Sequence, residues 1–468
     1  MIQEMEYINF REQFESIKET GDSQRLSEFL DDQNISDVAE LIYDHPEDEA
    51  LIISCMSIHR ASSVFKILEL SYQKTIIKEL SPQKTAALLN ELPPDDRTDF
   101  LEELPSNVVR ELIKLLNVEE RKIALSLLGY PENTVGRLMT PDYVYVYENN
   151  TVAEVLDTIR RKGKDSETID VIYVINRDGE LLDDIRIREF LLAAPDKKVS
   201  EIMDDRYIAL NAYDDQEKAN EVFKMNNRVA LPVVSNSNKL LGIVTIDDIL
   251  WVAEEEFSED IQKIGGTVAL EQPYLDTPFF KLIQKRVGWL IILFLSELLT
   301  ATAMAYFNDE IAKATMLAMF IPLIMSSGGN SGSQASTLII QAMAVGEVHI
   351  SDWWRVIRRE ILSGLVLGSI LGLIGFIRIT IWFELMQHGY LHDIYGIHGF
   401  RVAITVGVAL IGVVLWGTLA GSMLPIALKR FGADPAVSSA PFVATLVDVT
   451  GIVIYFSVAL LFLKGILL

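Results

Sequence analysis

Residues 326–340 read SSGGNSGSQASTLII. They interrupt a stretch that is otherwise long and apolar, following residues 314–325 and leading into 339–345. Lipid penalises every polar group left without a hydrogen bond, and a glycine weakens a helix by about 1 kcal/mol relative to alanine. A chain that carries Gly328, Gly329, Gly332, Asn330 and Gln334 here must gain something in return. One solution is a bend or break at the glycines, with Pro322 weakening the helix just upstream. The freed carbonyls, the serines and the amides would then line a wet path.

The flanking sequence sets this stretch in a membrane half. Apolar runs near 287–307, 312–345, 360–383, 400–428 and 441–467 are each long enough to cross about 30 Å of hydrocarbon. Lys281, Lys285 and Arg286, then Arg355, Arg358 and Arg359, then Lys429 and Arg430 all fall on one face of such a five-helix arrangement. Asp309, Glu310, Glu384 and Asp393 fall on the other. The excess of Lys and Arg on the cytoplasmic side puts residues 1–278 in the cytoplasm and the C-terminus outside. Gly364, Gly368 and Gly372, with Gly417 and Gly421, repeat at the spacing that lets helices approach closely in lipid.

Asp448 stands alone in APFVATLVDVTGIVIYF, residues 440–456. No opposite charge is near it in sequence, so a protonated carboxyl and a cation ligand are the two readings. Glu297 and Arg378 also fall inside apolar runs and are read as structural. The available ligands are hard oxygens and amides. They suit Mg²⁺, Ca²⁺ or Mn²⁺ better than Cu⁺ or Zn²⁺. Histidines 388, 392 and 398 sit in an outer loop and read as solvated.

The amino half differs in character. The chain of 468 residues has a formal net charge of −25 while half its residues are hydrophobic, so acid and oil occupy different parts. An acidic half argues against a nucleic-acid partner. Cys55 is the single cysteine, which excludes an internal disulfide and any cysteine-rich metal site. Residues 1–130 read as an all-α repeat of short helices. Leu92, Leu104 and Leu116 close successive units, and Pro93 and Pro105 restart them at a first-turn position.

Residues 131–252 repeat internally. RLMTPDYVYVYENNTVAEVLDTIRR is echoed by SEIMDDRYIALNAYDDQEKANEVFK, and DVIYVINRDGELLDDIRIREFL by VALPVVSNSNKLLGIVTIDDIL. Turns fall at Arg177–Asp178–Gly179 and at 235–238. This α/β region resembles a tandem CBS pair through Met139–Thr140–Pro141, Leu231–Pro232–Val233–Val234 and the Gly242–Asp248 segment. In such modules a Gly-x-x-Thr-x-x-Asp pattern holds a nucleotide. The second copy keeps Gly242, Thr245 and Asp248, whereas the first has Asp183, Arg186 and Glu189. Thr245 and Asp248 therefore leave ATP as a candidate ligand. Residues 253–280 read as an acidic connecting helix and linker, and 281–468 as the membrane domain.

Together these segments resemble the MgtE family of magnesium channels. The resemblance rests on PLIMSSGGNSGSQASTLII, GSMLPIALKRFGADPAVSSAPFVATLVDVTGIVIYF, SEDIQKIGG, the CBS pair and the helical N-domain. It implies a homodimer in the cell membrane with one pore for hydrated Mg²⁺, other divalent cations being possible cargo. It assigns Asp448, Asn330 and Gly328 to the pore and Asp434 to its cytosolic mouth, though Asp434 reads equally as a helix cap. It assigns regulatory Mg²⁺ to Asp95, Asp99, Asp215, Glu217, Asp247, Asp248, Glu259 and Asp260. Cytosolic Mg²⁺ bound among the N-domain, the CBS pair and the connecting "plug" helix would hold the pore shut. Asn227 departs from the family pattern where an acid is common, and Lys224 lies near it. An ion-coupled secondary transporter is the alternative. No nucleophile–base constellation or phosphate loop suggests an enzyme.

Overall fold

The computed structural model describes residues 2–270, 274–275, 277–390 and 398–465, with side chains from residue 10 onward. Pro273, His392 and Asp393 lie outside the described residues. The chain forms two compact units, Met1–Glu256 and Phe257–Leu468.

The first unit opens with ten helices, α1 to α10: Ile2–Thr20, Ser23–Asp31, Ile35–Asp44, Glu49–Cys55, Ile58–Phe65, Leu70–Glu79, Pro82–Glu91, Pro94–Glu102, Ser106–Leu115 and Val118–Leu127. Their boundaries follow local chemistry. The side chains of Ser81 and Asn117 accept backbone N–H groups at the starts of α7 and α10. Pro93 and Pro105 stand at the cap, one residue ahead of the first-turn place suggested by the leucine spacing. Leu92 and Leu116 end α7 and α9 and are buried with Phe65, Leu89 and Phe100 in one continuous core.

After α11 (Val135–Leu138) come two copies of one motif. The first holds β1 (Tyr143–Tyr147), α12 (Val152–Lys162), β2 (Thr168–Ile175), β3 (Leu181–Arg186) and α13 (Ile187–Leu192). The second holds β4 (Leu210–Asn211), α14 (Gln216–Asn226), β5 (Ala230–Val234), β6 (Leu240–Thr245) and α15 (Ile246–Ile264). In each copy the first strand pairs parallel to the second and the second antiparallel to the third. The hairpin turns carry Gly179 at φ +81° and Asn238 at φ +58°. They also join the copies. Leu181 N–H donates to Asn238 O and Leu240 N–H to Gly179 O, both at 3.0 Å. The connecting helix is no separate element, because α15 runs unbroken from the end of β6 to Ile264.

The second unit contains α16 (Phe279–Tyr306), short α17 (Asn308–Lys313) and α18 (Thr315–Ala318), then α19 (Ile321–Ala344), α20 (Trp353–Gln387), α21 (Gly399–Arg430) and α22 (Ala440–Leu463). By length and composition α16, α20, α21 and α22 can cross a membrane. The fifth long helix, α19, carries the polar stretch.

That stretch does not break as its glycines suggested. α19 is continuous through Gly328, Gly329 and Gly332, since an opened turn among apolar neighbours would leave peptide groups unmet. The glycines instead admit other helices. A Cβ on Gly417 of α21 would lie 2.5 Å from the carbonyl oxygen of Gly328, and one on Gly421 would overlap the carbonyl of Gly332. The serines tie α19 to the start of α22 and to the chain just before it. Ser333 Oγ donates to Ala440 O and Ser336 Oγ to Ser438 O, each at 2.9 Å. Gly364, Gly368 and Gly372 play the same part between α20 and α21, where a Cβ on Gly372 would sit 2.6 Å from Gly407 O. The first prediction arises here. Gly421→Val puts a branched side chain where the Gly332 backbone already lies. The variant should fail to give a monodisperse protein in detergent, or melt at least 10 °C lower, as read by size-exclusion chromatography and a thermal scan.

Candidate ion pathway and regulatory metal centre

One face of α19 and one of α22 line an open groove of about 480 Å³, bounded by Pro322, Met325, Ser326, Gly329, Asn330, Ala444 and Asp448. The α19 residues recur at helical spacing, and Ala444 and Asp448 are one turn apart. Asn330 Nδ2 lies 3.4 Å from Ser326 Oγ. Among the described residues Asp448 has no hydrogen bond or ion pair. Arg378, the cation in a neighbouring apolar run, packs over the Trp382 ring at 4.8 Å. A carboxylate beside an amide in a groove this size can address a hydrated cation. Six waters occupy roughly 180 Å³, and Mg²⁺ gives up its waters reluctantly.

Of the pore residues expected from sequence, Asp448 and Asn330 meet here. Gly328 does not: a Cβ there would run into Val413 of α21 and Val447 of α22, so it serves packing. Its neighbour Gly329 is the glycine that matters to the groove. A Cβ there would lie 3.4 Å from Ala444 Cβ and 3.5 Å from Asp448 Oδ1, so any side chain would crowd the carboxylate.

Asp434 lies apart from the groove. Its Oδ1 caps a 3-10 turn by accepting Ala436 N–H at 2.8 Å, and its Oδ2 accepts from Lys263 Nζ, also at 2.8 Å. Lys263 also pairs with Glu259 at 2.5 Å, one turn back on α15. Burial works to lower the Lys263 pKa, but the bonds to Asp434 and Glu259 outweigh it and raise the group above its ordinary value. Asp260 is half-buried beside them.

In the first unit, carboxylates from α8 and the start of α15 converge. Asp95 is buried, and its carboxyl is pushed well above the usual range by desolvation, then by Asp248, Asp96 and Glu167. Asp248 is pushed up to about 7 by burial and by Asp247 and Asp96, against the hydrogen bond from Thr245. Asp99 is pushed up to about 7 by desolvation and by Glu102, Glu103, Asp96 and Glu255. Its surface stays accessible, so it forms the rim of the cleft. Two cations offset part of this charge among the described residues, Lys66 Nζ lying 3.1 Å from Asp96 Oδ2 and Arg137 Nη1 2.7 Å from Glu102 Oε2. A crowd of carboxylates short of cations is a ready site for a divalent ion with oxygen ligands.

The resemblance that assigned Asp95 and Asp99 passed over Asp96 between them. Glu167 precedes β2 with no motif to mark it; Glu102 lies one turn after Asp99 on α8, and Glu255 joins them only in three dimensions. Asp215 is outside this group. It caps α14, accepting Glu217 N–H at 2.9 Å, and both side chains are exposed. Asn227 has a local reason: it ends α14 with φ +49°, a left-handed conformation that asparagine adopts readily. Lys224 lies in the last turn of that helix, where a cation suits the dipole.

In the second-copy nucleotide motif the two polar side chains meet. Thr245 Oγ1 donates to Asp248 Oδ2 at 2.6 Å, and Asp248 faces other acids. In the first copy, buried Asp183 accepts the N–H groups of Asp204 and Asp205, and Asp184 pairs with Arg228 at 2.8 Å.

Three family descriptions match the chain: "Divalent cation transporter" (MgtE) over residues 321–458, "MgtE intracellular N domain" over 33–133, and "CBS domain" over 135–196 and 199–255. The magnesium transporter MgtE of Thermus thermophilus is 38% identical over 357 residues, 76% of each chain. That of Bacillus subtilis is 27% identical over 466 residues, 99% of this chain and 100% of its own. A crystal structure of the cytosolic domain of the Mg²⁺ channel MgtE in complex with ATP is 31% identical, covers 52% of this chain and 99% of its own, and superposes with a TM-score of 0.50. With a helical N-domain, a CBS pair and an apolar helical domain in that order, the chain belongs to the MgtE family of magnesium transporters.

Proposed function

We propose that the protein is a Mg²⁺ channel of the cell membrane, a homodimer closed by Mg²⁺ on its cytosolic side. The observation that carries this reading is the α19–α22 groove, where Asp448 and Asn330 meet with no counter-cation among the described residues. A carboxylate in a groove open to lipid would be costly. A second copy facing it would close it and bring two Asp448 carboxylates to one hydrated ion. Asp434 with Lys263, Glu259 and Asp260 would then stand at the cytosolic mouth, with residues 1–278 in the cytoplasm and the C-terminus outside, in keeping with the loop charges.

Closure follows from the acidic cleft. At high cytosolic Mg²⁺ the ion sits among Asp95, Asp96, Asp99, Asp247, Asp248 and Glu167 and draws α8 and α15 together. When Mg²⁺ falls, the uncompensated carboxylates repel, the N-domain loosens from the CBS pair, and the pore is released. Asp215 and Glu217 take no part in that cleft. ATP is a candidate ligand at Thr245 and Asp248, which meet in the second copy, and the ATP complex of a related cytosolic domain supports that reading.

The test is Mg²⁺ entry into liposomes with the Mg²⁺ concentration on the cytosolic face varied. Entry should follow membrane voltage, ignore Na⁺ and pH gradients, and be suppressed as cytosolic-side Mg²⁺ rises. Entry that requires a Na⁺ or H⁺ gradient would make the protein a coupled transporter instead.

A further inference from the structure

The reading of the groove leaves one membrane carboxylate without a role. Glu297 lies on α16, exposed in the protomer, and no hydrogen bond or ion pair holds it among the described residues. An unpaired carboxylate at this depth is expensive unless it faces water or a cation.

Its depth can be fixed from contacts at the two ends of neighbouring helices. Near the start of α16, Trp289 packs on Phe442 of α22 with ring centroids 6.2 Å apart, and its Nε1 donates to Ser439 Oγ at 3.0 Å. At the far end, Phe307 stacks on Phe456 at 4.9 Å. The two helices therefore run in parallel. Glu297 falls a little over two-fifths of the way from Trp289 to Phe307, and Asp448 falls at the same fraction from Phe442 to Phe456. With about 1.5 Å of rise per residue, both carboxylates lie at one level, and each is within electrostatic reach of the other. Trp289, Leu293, Ser296 and Thr300 recur at helical spacing as the face toward α22, and Glu297 lies at its edge. One turn beyond it, Thr300 Oγ1 is buried without a hydrogen-bond partner among the described residues. It does not bond back to its own helix as Thr302 does to Leu298 O, so a hydroxyl is left for a water in the same layer.

We propose that Glu297 is a second pore carboxylate, which with Asp448 forms an acidic layer that concentrates divalent cations at the groove. The proposal rests on the assignment of Asp448 to the ion pathway. Two negative groups at one depth favour a doubly charged ion over a singly charged one, because the attraction scales with the ion's charge while the repulsion between the carboxylates persists until it is neutralised.

The experiment compares the wild type, Glu297→Gln, Glu297→Asp and Asp448→Asn in liposomes, reading initial Mg²⁺ entry against external Mg²⁺. Glu297→Gln should raise the half-saturating concentration roughly tenfold, the low end of what a charged cleft contributes, with little change in maximal rate. High salt should shrink the difference, and Glu297→Asp should restore most of the affinity. Wild-type concentration dependence in both Glu297 variants would place the residue outside the pathway. Equal loss in Gln and Asp variants, with an altered melting temperature or oligomeric state, would make its role structural. Normal entry through Asp448→Asn would sink the groove assignment itself, and this inference with it.

Discussion

Liposomes carrying Asp448→Ala should pass Mg²⁺ no faster than protein-free liposomes, although the variant purifies as the same oligomer with the same melting temperature. Both halves of that expectation follow from the site. On the proposed pathway the carboxylate supplies the charge that lets a hydrated divalent ion enter the groove, and Asn330 and Ser326 supply only dipoles. Field strength at a narrow point decides whether an ion enters at all. For stability, Asp448 bonds to nothing among the described residues, so removing it leaves no orphaned partner and relieves the cost of a half-buried charge. Asp448→Asn keeps the shape and should be nearly as inactive, which separates charge from packing. A flux assay with a trapped Mg²⁺ indicator, run beside size-exclusion chromatography, reads both. Normal flux in the alanine variant would remove Asp448 from the pathway.

The second large effect is on the cytosolic unit. The carboxyls of Asp99 and Asp248 are pushed up to about 7, and that of Asp95 is also raised. In the unfolded chain these groups titrate near 4. Between about pH 4 and 7 the folded unit therefore holds protons that the unfolded chain has released, so stability falls as pH rises through that window and stays low above it. In EDTA, the cytosolic transition of the full-length protein should move down by roughly 5–10 °C between pH 5.5 and pH 8. Saturating Mg²⁺ at pH 8 should restore most of the loss, because the ion replaces the protons as counter-charge. Limited proteolysis gives an independent reading: cleavage within residues 1–256 should speed up in EDTA and slow in Mg²⁺. A melting temperature that ignores both pH and Mg²⁺ would argue against a metal-locked cleft.

Much of this architecture was legible because it rests on periodicity. The repeated strand–helix–hairpin pattern gave the CBS pair, the leucine and proline spacing gave the helices of the N-domain, and the loop charges marked the membrane half. The error at Gly328 and its neighbours shows where such reading stops. Composition reveals that glycines are needed, but a glycine that bends its own helix and a glycine that admits another helix look alike in one dimension. The partner that decides, Gly417 or Gly421, is some ninety residues away in sequence. The acidic cleft was half legible for a similar reason. The family resemblance picked out Asp95 and Asp99, and a motif picked out Asp248, but Glu167 joins them only through the fold.

The contact between the backbones of α19 and α21 has a mechanical consequence. Where Gly328 meets Gly417 and Gly332 meets Gly421, peptide groups touch with no flexible side chains between them, and such an interface has no slack to absorb sliding. One wall of the groove is thus a fixed jaw. The jaw that carries Asp448 meets α19 through side chains instead, Val443, Ala444 and Val447, and through the hydroxyl of Ser333. On the proposed ion pathway, widening is expected on that side, so the ion's ligand and the moving part would be the same helix.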